Sequence, residues 1–186
     1  MTSDQATAAV VDVLDALQVP YLLVGALSSN LYGIPRSTKD ADFLVLLSEG
    51  DMAAIAARLG PQFRLDPQLT FETVTAKTRY MVHLVDVPYR IEFFRMGDDP
   101  FDRERFARRK QWSLLGRRVF VPTPEDVIIV KLRWSLALER PKDAEDARGI
   151  LAVQGDRLDW DYINRWSAVH GTRELLDRLR ASIPAV

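Results

Sequence analysis

The chain has 186 residues, 47% of them hydrophobic, and its 25 Lys and Arg nearly balance its 26 Asp and Glu. That size fits one domain with a substantial core and a small helical appendage. The near-zero charge argues against a dedicated polyanion coat without excluding a local basic patch. With no cysteine and only two histidines, disulfide frameworks, thiolate zinc sites and histidine-rich metal cages are excluded. No apolar run reaches the roughly 18–20 residues of a membrane span, and the N-terminus lacks a charged-then-apolar leader pattern, so a cytoplasmic protein with no membrane partner is expected.

Ser3 or Asp4 can cap a first helix running to about Gln18, with Ala9, Val10, Val13, Leu14 and Leu17 at helical spacing. Residues 21–24 read as a buried strand, 26–31 as a short helix ended near Gly33 and Pro35, and 40–47 as a second strand. Ser48 then caps a helix to about Leu59, with Asp51 in the capping-box place. Weak strand patterns at 63–65 and 70–74 precede stronger ones at 79–85 and 89–94, joined by a hairpin turn at Asp86-Val87-Pro88. A charged helix is expected over 101–110 and an extended pair turning at Gly116 over 112–121. Thr123-Pro124-Glu125 combines a cap, a first-turn proline and an acid at the positive end, so a helix starts there and runs to about Leu138. Pro141 opens another through Leu151, and one or two more fill 159–182. This order predicts an α/β (α+β) fold, a short mixed sheet flanked by helices, with residues 1–122 as the core and 123–186 as a helical C-terminal part packed on it.

The chemistry concentrates in residues 21–43. An apolar strand ends in a glycine turn, a short helix follows, and a second strand opens with Asp40 and Asp42. Strand side chains alternate faces, so the two carboxylates converge at the mouth of that strand. Like charges so close repel unless a cation neutralises them, and carboxylate oxygens suit Mg²⁺, which also takes phosphate oxygens. The glycine turn and helix start offer backbone N–H groups to an anion.

The segment Gly25-Ala26 … Tyr32-Gly33-Ile34-Pro35-Arg36-Ser37-Thr38-Lys39-Asp40-Ala41-Asp42 resembles the signature of the DNA polymerase β-type nucleotidyltransferase superfamily: a hydrophobic strand, Gly-Gly or Gly-Ser, a gap, then Asp-x-Asp/Glu. The Arg-x-Thr-x-Asp-x-Asp form is similar to minimal nucleotidyltransferases of the AbiEii/MenT toxin group. The sharp motif spans about a tenth of the chain, and a looser resemblance continues to about residue 151. The resemblance implies the nucleotidyltransferase fold and a Mg²⁺- or Mn²⁺-dependent enzyme. Its substrate would be a nucleoside triphosphate such as ATP, whose NMP passes to a hydroxyl on a tRNA end, a protein or a small molecule. It also implies a toxin's cognate antitoxin as a partner. Asp40 and Asp42 take the metal-ligand places. Glu92, in Arg90-Ile91-Glu92-Phe93-Phe94, takes the place of a third acid that ligates metal and helps deprotonate the acceptor, with Asp86 as its competitor. Gly25, Ser28 and Ser29 take the phosphate-cradling places; Ala26 stands where the family usually has Gly or Ser. Lys131 and Asp146 match a helical lysine and a later aspartate of the nucleotide site in related toxins.

Each of these has a plainer reading. Glu92 can be a solvent-facing acid paired with Arg90 or Arg95. Arg36 and Lys39 can contact the triphosphate, or be surface charge, or Arg36 can clamp Asp42. Thr38 is a phosphate donor or a strand-start hydroxyl. Lys131 lies on a helix that is apolar nearly all round and needs a partner; Asp143 and Asp146 supply one, as a structural ion pair, as part of the nucleotide site, or both. His83 and His170 read as structural. The run Arg103, Arg105, Arg108, Arg109, Lys110 reads as a solvated face, with docking of an acidic partner or RNA as the alternative. The rival to an active transferase is a nucleotide-binding relative without turnover; a metal-dependent nuclease is disfavoured because no Glu-x-Lys follows Glu92.

Overall fold

The computed structural model describes residues 1–184. It opens with helix α1 (Ser3–Ala16), capped one residue earlier than expected, by Thr2 in a reciprocal capping box with Gln5. The helix stops short of Gln18, which takes a positive φ and turns the chain into β1 (Tyr21–Val24). Helix α2 (Gly25–Tyr32) follows at once, then β2 (Asp40–Val45). Helix α3 (Asp51–Leu59) is not capped by Ser48: Gly50 holds the N-cap in the left-handed region, and the Ser48 N–H instead donates to Asp51 at 2.6 Å.

Three strands continue the sheet: β3 (Phe63–Leu65), β4 (Thr70–Glu72) and β5 (Lys77–Leu84). The turn at Asp86, which has a positive φ, leads to β6 (Arg90–Arg95). Helix α4 (Pro100–Ala107), capped by Asp99, ends three residues before the expected Lys110 because β7 (Lys110–Leu114) begins there and pairs with β8 (Arg117–Val121). Then come α5 (Pro124–Leu138), α6 (Pro141–Gln154), a single 3₁₀ turn, α7 (Trp160–Val169) and α8 (Arg173–Ala181). Thr123 and Asp126 complete the capping box at the start of α5. Among the described residues no helix is long and apolar enough to cross a membrane.

The main sheet has the order β1-β2-β6-β5-β3, with β4 on β5. Every pairing is antiparallel except β2 with β6, which run parallel in the register Asp40↔Arg90, Asp42↔Glu92, Leu44↔Phe94. One face buries Ala41, Phe43, Val45, Ile91 and Phe93 in the main core, with Val10 and Leu14 of α1 and Ile55 of α3. The alternate residues point to the other face, where α5 lies above the strands.

The basic run on α4 is not a solvated face. Arg105 is buried and pairs with Asp102, Arg108 lies over the Tyr162 ring at 3.9 Å, and Arg109 lies over Phe106 and Phe120. Asp102 lies on α4 itself and is shared with Lys77 of β5, while Arg108 and Arg109 reach outward to the rings of Tyr162 and Phe120 and tie the end of α4 to its neighbours. Arg103, paired with Asp98 at 2.5 Å, stays exposed.

Candidate active site

Parallel pairing of β2 with β6 builds the site. With Asp42 opposite Glu92 and Asp40 opposite Arg90, two carboxylates of β2 and one of β6, distant in the sequence, share one face. All three line a cleft of about 560 Å³, within the size range of small-molecule sites. Its other walls are Gly25, Ala26 and Ser28 of α2, the 36–39 segment, and Val127, Val130, Lys131 and Trp134 of α5.

Gly25 explains why the turn after β1 needs glycine. Its φ is +67°, and a Cβ there would lie 1.9 Å from Asp42 Oδ2. The peptide backbone thus rests directly against the carboxylate. The α2 N-terminus, just beside it, has no side-chain cap. Ser28 and Ser29 donate their hydroxyls to the Gly25 carbonyl at 2.9 and 3.0 Å; Ser28 borders the cleft, whereas Ser29 is buried away from its wall.

The carboxylates differ in their company. Thr38 Oγ1 donates to Asp40 Oδ1, and Arg90 Nη2 reaches Asp40 Oδ2 at 3.4 Å and Glu92 Oε1 at 3.7 Å. Glu92 is only 6% exposed and pairs with Arg79 at 2.9 Å, so it is neither solvent-facing nor linked to Arg95. Asp42 accepts no hydrogen bond and forms no ion pair among the described residues. Burial, then the charges of Asp40 and Glu92, push its carboxyl up to about 7 against the weaker pull of Lys131 and Arg140.

That orphaned carboxylate, flanked by two more in an all-oxygen donor set, is the arrangement a hard divalent cation would stabilise. Among the described residues no group of three or more Asp, Glu, His or Cys stands close enough together to hold a metal ion as it is; Arg79 and Arg90 engage Glu92 and Asp40 instead. In donor chemistry alone, the carboxylates of Asp40, Asp42 and Glu92 are of the kind that suits Mg²⁺ or Mn²⁺.

Arg36 does not clamp Asp42. It makes a two-pronged bond to Asp146, Nε to Oδ1 at 2.7 Å and Nη2 to Oδ2 at 2.8 Å. Lys131 Nζ reaches Asp143 at 2.8 Å and Asp146 at 2.7 Å, and Arg140 reaches Asp143 at 2.9 Å. Burial alone would raise the Asp146 carboxyl, but Arg36 and Lys131 outweigh it and hold it below the usual range. Lys131 therefore joins α5 to α6 and lines the cleft at once. Lys39 is exposed at the rim. Asp86 sits in the β5–β6 turn outside the cleft lining. His83 lies 3.5 Å from Asp66, and His170 stacks on Trp166.

Sequence reasoning missed a second polar cluster on the cleft wall. Lys77 meets Asp102 at 2.6 Å, and Arg105 meets it at 2.8 Å, all three buried. The signal was thin: a lysine at a strand start and an aspartate in a charged helix look like surface residues until β5 and α4 are brought together.

No protein-family model and no curated protein sequence matches the chain. Solved structures do. The antibiotic-resistance factor ANT(2'')-Ia in solution is similar over 94% of this chain and 94% of its own, at 13% identity and a TM-score of 0.64. Its crystal form in complex with adenylyl-2''-tobramycin gives 0.63 at 16% identity, covering 94% and 99%. An antigenic nucleotidyltransferase-like protein from Paracoccidioides brasiliensis gives 0.51 at 19% identity, covering 99% and 95%. At such identities the likeness speaks for architecture: the chain has the nucleotidyltransferase fold, a mixed sheet with helices and a helical C-terminal part.

Proposed function

We propose that this protein is a metal-dependent nucleotidyltransferase that moves NMP from a nucleoside triphosphate to a hydroxyl acceptor. The observation that carries the reading is Asp42, a carboxylate without a partner, pressed against Gly25 and flanked by Asp40 and Glu92 at the mouth of a cleft. Similarity in fold to ANT(2'')-Ia, a structure of which holds an adenylylated tobramycin, supports the reaction class.

Asp40, Asp42 and Glu92 would hold Mg²⁺ or Mn²⁺, which when bound polarises phosphate oxygens and neutralises charge on the leaving group. The uncapped N–H groups of α2 offer hydrogen bonds to phosphate oxygens beside Gly25. Lys131, pinned by two aspartates, presents a fixed positive charge to the cleft, and Lys39 adds a mobile one at the rim. Glu92 would accept the acceptor's proton once Arg79 lets go of it. The fixed walls orient the triphosphate and acceptor, which is much of what phosphoryl transfer asks of a protein. By the toxin resemblance of the 36–42 segment, such an enzyme would have a cognate antitoxin; co-purification of the chain with the product of a neighbouring gene tests that role.

A second reading has one observation in its favour. Arg79 and Arg90 already neutralise Glu92 and Asp40, as in a nucleotide-binding protein without turnover. Incubation with α-labelled nucleotides and Mg²⁺ or Mn²⁺ separates the two. An enzyme transfers label and Asp42→Asn abolishes it; metal-dependent binding with no transfer from any of the four nucleotides leaves the binding reading.

A further inference from the structure

The cleft runs on past the carboxylates. Same-face residues follow one another along the sheet: Asp42 with Glu92 and Met81, then Leu44 with Phe94 and Arg79, then Lys77 opposite Glu72. Lys77 is four residues from Met81, so it lies roughly 13 Å farther along the strand than the Glu92 row. A ribose and a base reaching inward from a metal-bound α-phosphate cover a span of that order. The middle of this inner end is apolar. Leu44 and Phe94 form its floor, and Val130 and Trp134 of α5 its roof. The Phe94 and Trp134 rings meet at 83°, with 6.4 Å between centroids, so a flat ring laid on one meets the other at its edge.

The polar edge of this end is rich in donors. Lys77 and Arg105, 3% and 5% exposed, both border the cleft. They share Asp102, which is fully buried and lies behind the wall. Lys77 Nζ carries three protons and reaches two partners, the Asp102 carboxylate and the Thr75 carbonyl. Arg105 Nε is buried with no hydrogen-bond partner among the described residues. Acceptors are scarce by comparison. Asp126 already accepts from Thr123 and Tyr162, and the Thr75 hydroxyl donates to Glu72. A ligand edge made of acceptors therefore gains bonds here. An amino group meets an ammonium and a guanidinium and leaves buried donors unpaired, which is costly. Among the bases, guanine offers O6 and N7 together to such donors, whereas adenine sets an amino group beside its N7; uracil carries a carbonyl where cytosine carries an amino group.

Resting on the nucleotidyltransferase reading, we propose that the slot between Phe94 and Trp134 holds the base of the triphosphate, and that Lys77 and Arg105 select the keto bases guanine and uracil over the amino bases adenine and cytosine. That preference sets this chain apart from ANT(2'')-Ia, a structure of which holds an adenylyl group on tobramycin.

Calorimetry on the full chain with Mn²⁺ compares ATP with inosine triphosphate, whose base carries a carbonyl in place of adenine's amino group, and then GTP, UTP and CTP. Inosine triphosphate and GTP are expected to bind at least about 5-fold more tightly than ATP, the low end for a well-made base contact, and UTP more tightly than CTP. Two variants ask what reads the base. Lys77→Gln, whose amide oxygen can accept from adenine's amino group, is expected to shrink the ratio of inosine triphosphate to ATP affinity. Trp134→Leu is expected to weaken both and leave the ratio as it was. Equal affinity of the wild-type chain for the two, or a preference for ATP, overturns the proposal whether or not either variant folds. A wild-type ratio that folded Lys77→Gln keeps unchanged overturns it as well. Both results leave the nucleotidyltransferase reading intact. No metal-dependent binding of any triphosphate removes that reading and this inference with it.

Discussion

Gly25 answers two demands at one position: a left-handed backbone and close approach to Asp42. An alanine there carries a left-handed penalty of roughly 1–2 kcal/mol, and its Cβ must also displace the carboxylate. Gly25→Ala is therefore expected to stay folded with a lowered melting temperature while metal-dependent triphosphate binding falls by about 10–100-fold, the usual cost of disturbing a group that positions a metal ligand. Calorimetry against wild type checks this; unchanged affinity would mean that Asp42 does not need the place it has. His170 gives a pH prediction at the same scale. Its Nε2 is buried without a partner, and its ring packs between Trp166 and Phe101. Burial first, then Arg133 and Arg105 against the opposing Asp99 and Asp102, lower its pKa from 6.5 to about 4. Between those values the unfolded chain binds a proton that the folded chain refuses, so this stability is complete above 6.5 and is lost as pH falls toward 4. His170→Gln should lose less stability than wild type between pH 7 and 5 in urea melts; equal losses would assign the acid sensitivity elsewhere.

At the scale of elements, the network Arg36–Asp146–Lys131–Asp143–Arg140 locks the segment before β2 to α5 and α6. Lys131→Met leaves Asp143 and Asp146 buried with one fewer counter-charge and should cost about 3–5 kcal/mol. Adding Asp143→Asn removes part of that imbalance, so the double variant should lose less than the sum of the singles. Strict additivity in urea midpoints would mean that the pair is not coupled. The elements themselves were largely readable from sequence because their signals are local. Thr123-Pro124 announces α5 through its cap, and the i, i+2 spacing puts Asp40 and Asp42 on one face whatever surrounds them. Glu92 could be placed on a strand, but its register opposite Asp42 depends on parallel pairing across some fifty residues of chain, which no local pattern encodes. The same holds for the partners. Arg79 on Glu92, Arg36 on Asp146 and Lys77 on Asp102 are all long-range choices, and each overturned or escaped a reading based on neighbours in sequence. The start of α3 failed locally: Ser48 looks like a cap, but Gly50 alone accepts the left-handed turn that the chain makes there.

At the scale of the whole molecule, the core does not respect a boundary at residue 122. One apolar cluster contains Val10 and Leu14 of α1, Phe43 and Phe93 of the sheet, and Ile128, Ile150, Ile163 and Leu176 of the last four helices. Polar ties cross the same line. Tyr32 Oη donates to the Pro122 carbonyl at 2.8 Å, and Gln154 Nε2 donates to the Tyr32 carbonyl at 2.7 Å. Gly33 lies so close to α6 that a Cβ there would be 2.9 Å from the Ile150 nitrogen. A chain ending at residue 122 would expose the apolar surface these helices cover and is expected not to fold alone, whereas the full chain should unfold in one cooperative step. The cleft makes this unity measurable. Its walls come from β2, β6 and α2 on one side and from α5 and α6 on the other, so a ligand held in it stabilises both parts together. Triphosphate with Mn²⁺ at about 100 times its Kd should add about 2.7 kcal/mol, which for this size moves a single transition up by about 5–10 °C. Far-UV and near-UV circular dichroism should report the same midpoint before and after addition. Two separated transitions, with only one of them shifted by the ligand, would show instead that the strands and the final helices fold as independent units and that one of them alone holds the nucleotide.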